Sequence, residues 1–107
     1  MSADRIRDLN DAFRATFEGG QVMLTAGVRA LPADVLARAI RMVATYDAFD
    51  AANDPHGEHD FGAFDLAGHT FFWKIDYYDT RLELGSPDPA DPARTVRVLT
   101  IMLAEKY

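Results

Sequence analysis

The chain has 107 residues and no cysteine, and its 11 basic and 17 acidic residues give a net charge of −6. That length suits one domain, 1–107, able to bury a core without staples. The missing cysteines exclude disulfides, thiolate metal sites and a cysteine nucleophile, and the acidity argues against direct nucleic-acid binding, which needs Lys and Arg on phosphates.

The first helix is expected from about Ala3 to Phe17, where Ile6, Leu9, Phe13 and Phe17 recur at helical spacing. Gly19-Gly20 ends it, and Gln21 to Val28 reads as a short strand. Pro32 suits the first turn of a second helix reaching about Tyr46, with Leu36, Ala39, Ile40 and Val43 as its apolar stripe. Asp47 to Gly57 reads as a loop, broken by Asn53, Asp54, Pro55 and Gly57.

Three strands are expected next: Glu58 to Leu66, His69 to Tyr78 after a turn at Ala67-Gly68, and Arg81 to Gly85 after a turn at Asp79-Thr80. Beyond a Pro-rich connection, Asp91 and Pro92 suit the start of a last helix with Val96, Leu99 and Leu103 as its stripe. The fold class is therefore α+β: a small antiparallel sheet of three to four strands packed against about three helices.

Two-residue turns fix a register. Leu66 faces His69, Phe64 faces Phe71, Gly62 faces Trp73 and Asp60 faces Ile75, while on the next hairpin Tyr77 faces Leu82 and Ile75 faces Leu84. These residues make one mostly apolar face, because side chains alternate. The other face carries His59, Phe61, Ala63 and Asp65, then Thr70, Phe72, Lys74, Asp76 and Tyr78, then Arg81, Glu83 and Gly85. His59, Asp76 and Glu83 fall in one row across it.

Charge marks the site region. Between Met42 and Trp73 there is no Lys or Arg, yet the stretch holds Asp47, Asp50, Asp54, Glu58, Asp60, Asp65 and all three histidines, His56, His59 and His69. The rest of the chain is neutral. Concentrated like charge costs stability unless something offsets it.

Two chemistries follow. One imidazole and two carboxylates could hold a divalent cation, and the weak metal candidates are His56, His59, Asp76 and Glu83. Catalytic candidates are His59, Asp76, Glu83 and Lys74, since His59 opposite Asp76 could serve as acid or base. No cofactor motif is present. The other chemistry is binding: Phe61, Phe72 and Tyr78 form an aromatic patch with a charged rim, and Phe49 sits among the loop carboxylates. A helix covering that face would be the plain alternative.

Four blocks resemble a family of small bacterial proteins known as a domain of unknown function: Gly57 to Phe64, Phe72 to Asp79, Gly85 to Pro92 and Arg97 to Glu105. The resemblance runs from about Phe13 to the C-terminus. It implies a bacterial chromosomal or mobile-element origin and carries over no activity, cofactor or site residue.

The function expected is an acidic interaction module that engages a basic protein surface through Asp47, Phe49, Asp50, Asp54, Glu58, Asp60, Phe61, Asp65, Phe72 and Tyr78. A nuclease or CRISPR effector is one such partner, which makes an anti-restriction or anti-CRISPR inhibitor a concrete version. The alternative is a small metal-binding protein or enzyme using the His59, Asp76 and Glu83 face. The start, Met1 to Arg5, lacks a signal-peptide layout and no apolar run is long enough to span a bilayer, so a cytoplasmic protein without membrane contact is expected. Self-association through the aromatic face is a third possibility.

Overall fold

The computed structural model describes residues 2–106; Met1 and Tyr107 lie outside it. Helix α1 spans Ser2–Thr16, β1 Gly20–Leu24, α2 Ala26–Arg29, α3 Ala33–Ala44, β2 Phe61–Leu66, β3 His69–Tyr78 and β4 Val96–Leu103, followed by a short 3-10 turn at Ala104–Lys106. The α+β class stands. The sheet runs β1-β4-β3-β2 and is mixed, because β1 joins β4 in parallel while the other two pairings are antiparallel.

The β2–β3 hairpin has the expected register: Leu66 faces His69, Phe64 faces Phe71 and Gly62 faces Trp73. Its turn holds Ala67 and Gly68 at φ 53° and 81°, the left-handed pair that matches strand twist. The ladder runs on as the Ile75 amide donates to the Asp60 carbonyl at 2.8 Å. Trp73 lies over the bare backbone of Gly62, where an added Cβ would meet Trp73 Cε2 at 2.7 Å and Tyr46 Cε2 at 2.8 Å.

Three elements differ from expectation. Strand β1 stops at Leu24, and Thr25 leads into helix α2, which drives Val28 into the core. Ala26 and Gly27 are poor strand formers, so the extended run ends there.

Arg81 to Gly85 is not a third hairpin strand. One bridge, Tyr78 to Gly85, remains, because the Asp79 carboxylate accepts from the amides of Arg81 (3.1 Å) and Glu83 (3.0 Å) and curls the segment into a loop. Leu82 and Leu84 therefore do not face Tyr77 and Ile75; those two residues register with Arg97 and Leu99 of β4.

The expected last helix is β4. Asp91 does cap a turn, its side chain accepting from the Ala93 amide at 2.9 Å, but the chain then extends. Arg97, Leu99, Ile101 and Leu103 alternate onto the buried face, and Val96, Val98, Thr100 and Ile101 are the branched residues that strands favour.

The core lies on one side of the sheet. Phe13 of α1, Val28 of α2 and Ala39 and Val43 of α3 meet Phe71, Trp73, Ile75, Leu99 and Ile101 there. Among the described residues no helix covers the opposite face, and none is long and apolar enough to cross a membrane.

Candidate functional site

The acidic segment divides into an inward half and an outward half. The inward half is sewn to α1. His59 adopts φ 55°, a left-handed backbone that turns its side chain off the sheet face where alternation would place it. Its ring then stacks on Phe49, with centroids 3.8 Å apart and planes 4° from parallel. Nδ1 meets Asp11 at 2.9 Å, and Nε2 lies 3.7 Å from Asp54, which is itself nearly buried. The Asp54 carboxylate also accepts the His59 amide at 3.2 Å.

Beside this clasp, the buried Arg14 donates to the carbonyls of Val43 (2.8 Å) and Tyr46 (3.0 Å) and pairs with Asp11 at 2.9 Å. Its guanidinium stands 4.8 Å from the Trp73 ring centroid and 5.3 Å from that of Phe49, within cation–π range. Asp11, Arg14, Tyr46, Asp47, Phe49 and His59 line an open cleft of about 260 Å³.

A second polar knot lies one turn earlier on α1. The fully buried Asn10 accepts from Arg97 Nε at 2.7 Å and donates to the Glu58 carbonyl (3.0 Å) and the Tyr77 hydroxyl (2.9 Å). Tyr77 donates to the Glu58 carboxylate at 3.0 Å. Burial holds the Tyr77 hydroxyl well above the usual phenol range, so it stays protonated. Burial, with Glu58 adding its charge, raises the Asp60 carboxyl. Burial also lowers Arg97, which satisfies itself on Asn10 and the Pro89 carbonyl.

The outward half is the bare sheet face. Phe61, Ala63 and Asp65 of β2 register with Lys74, Phe72 and Thr70 of β3. The Phe61 and Phe72 rings lie 5.5 Å apart, Asp65 accepts from Thr70 at 2.6 Å, and Lys74 pairs with Asp76 at 3.3 Å. Tyr78 continues the same face. With Val98, Thr100, Met102 and Met23 it borders a shallow groove of about 470 Å³. Asp47 stands at the β2 edge, flanking a cleft with Ala63 and Phe64.

The structure thus separates residues that alternation had grouped. His59, Asp76 and Glu83 do not form a row: His59 turns to α1, Asp76 registers with Val98, and Glu83 sits in the exposed loop beside Arg81. His56 is exposed in the loop and does not join them. Among the described residues no group of three or more His, Cys, Asp or Glu side chains is placed to hold a metal ion.

Phe61, Asp65, Phe72 and Tyr78 share the bare face, and Asp47 borders it. Asp50 is exposed but caps its own loop through the amides of Ala52 and Asn53, both at 2.9 Å. Phe49, Asp54, Glu58 and Asp60 face inward. Asp11, Asn10, Arg14 and Arg97 were missed by sequence reasoning. Asn10 stands four residues after Ile6 and three before Phe13, on the core face of α1, and that spacing is the signal that could have found it; nothing local marks the partner of Asp11, 48 residues away.

No curated protein matches the chain, and no solved structure matches it. A family model described as a protein of unknown function (DUF3768) matches residues 24–106, and the chain belongs to that family.

Proposed function

We propose that this protein is a non-enzymatic interaction module that holds a basic protein partner on its bare sheet face, acting in the cytoplasm. The observation that carries this reading is the sidedness of the fold: the helices pack on one face, while Phe61, Phe72 and Tyr78 are only part-buried on the other. An aromatic centre with a polar rim is the composition of a binding surface. The exposed carboxylates Asp47 and Asp65 at the β2 side supply charge that steers a basic partner. An inhibitor of a nucleic-acid-binding defence protein, of anti-restriction or anti-CRISPR type, is a concrete form of this function, with the carboxylates standing in for phosphates.

The alternative, catalysis or metal binding by His59, Asp76 and Glu83, loses its geometric support because the three are apart. Both His59 ring nitrogens already face carboxylates, so the imidazole reads as a clasp. The test is the salt dependence of binding. Affinity for the partner should fall between low and high ionic strength, since exposed charges are screened over a Debye length of about 8 Å at physiological salt; unchanged affinity contradicts the reading.

A further inference from the structure

The two edges of the sheet are unlike. At the β2 edge stand the carboxylates Asp47 and Asp65, so two copies meeting there would bring like charges together. The β1 edge is Gly20-Gln21-Val22-Met23-Leu24. It has no charge, no proline and no bulge, the devices that keep an edge from pairing. Val22 is 39% and Met23 53% exposed, two of the four exposed large hydrophobic residues among those described.

The backbone of this edge is self-complementary. The Thr25 amide donates to the Ile101 carbonyl at 3.2 Å, so by alternation Gln21 and Met23 also turn their backbone groups toward β4. Gly20, Val22 and Leu24 turn theirs outward, symmetrically about Val22.

We propose that a second copy of this chain pairs with β1, antiparallel about a two-fold axis at Val22, joining the two four-stranded sheets into one. Each outward residue then finds a partner: Val22 exchanges both backbone bonds with Val22 of the other copy, and Gly20 exchanges with Leu24. The Val22 side chains meet on the helix-bearing face, and Met23 lies beside Gln21 of the other copy on the bare face. The isologous arrangement closes after two copies and keeps Phe61, Phe72 and Asp65, on β2 and β3, outside the β1 interface.

The dimer is independent of the proposed partner binding and has the opposite salt response. Each copy carries −6, so screening favours their association while weakening the hold on a basic partner.

Light-scattering mass of the full chain across a concentration series, at low and high salt, is the test. The expected mass is twice 11.9 kDa at high concentration, with the transition moving to lower concentration in high salt. Val22→Pro removes an outward amide and no β4 bond, a place where an edge strand tolerates proline. Met23→Lys puts a charge on the edge. Both should stay folded by near-UV circular dichroism and remain monomers where the wild type is dimeric. Amide exchange at Val22 should slow in the wild-type dimer. A wild type monomeric at every concentration overturns the proposal. So does a dimer that survives both edge variants, or one that is abolished by F61A/F72A instead.

Discussion

The imidazole of His59 and the carboxylate of Asp11 meet at 2.9 Å across 48 residues of sequence. This contact fixes the exit of the acidic segment against α1. Beside it, Asp54 accepts from the His59 amide and Glu58 from the Tyr77 hydroxyl, so both part-buried carboxylates have hydrogen-bond donors.

The backbone at His59 sets a first prediction. With φ at 55°, a Cβ is strained there by about 1–2 kcal/mol. His59→Ala and His59→Gly both lose the clasp, but the glycine variant should be the more stable by about 1 kcal/mol. Urea midpoints of the two variants measure this, and a less stable glycine variant would contradict it.

Asn10 is the second. Its side chain joins Arg97, Glu58 and Tyr77 through three bonds of 2.7–3.0 Å with no exposure to water. Asn10→Ala leaves a buried guanidinium short of an acceptor and should cost about 2–3 kcal/mol. A loss below about 1 kcal/mol by chemical denaturation would mean the knot relaxes onto other partners.

Gly62 is the third. An added methyl would meet the Trp73 and Tyr46 rings at 2.7 and 2.8 Å. Gly62→Ala should destabilise by about 1–3 kcal/mol through overpacking. Near-UV circular dichroism should also change, because the only tryptophan is the residue displaced.

Asp60 gives a pH dependence. Its folded pKa lies above the usual value of 3.8 because it is part-buried beside Glu58. In the window just above 3.8, the folded chain keeps a proton that the unfolded chain has lost. Stability therefore falls as pH rises through that window and stays reduced at neutrality. Asp60→Asn should be more stable than wild type at pH 7, with the gain shrinking toward and below pH 3.8. A difference constant with pH would contradict the assignment.

The β2–β3 hairpin was legible because two signals agreed: apolar alternation and a turn pair, Ala67-Gly68, able to adopt left-handed backbone. Strand β4 was not. Val96, Leu99 and Leu103 also fit a helix, and Arg97, a charged residue buried on Asn10, interrupts the apolar alternation that would mark a strand. Phe61, Phe72 and Tyr78 were legible as outer-face residues, but whether a helix covers that face was left open by the sequence, because alternation is the same in either case. The His59 row failed because one left-handed residue rotates its side chain out of the alternation, and single-residue backbone choices of that kind are set by tertiary contacts such as Asp11 and Phe49.

The most direct test of the interaction reading is a tagged pull-down from a native lysate of the source cells, read by mass spectrometry. Wild type would be run beside an F61A/D65N/F72A variant and beside Arg38→Ala, an exposed change on α3 at the helix side. The account predicts a basic protein retained by wild type and by Arg38→Ala and lost from the sheet-face variant. Retention by all three, or the same eluate with no specific protein from each, would contradict it.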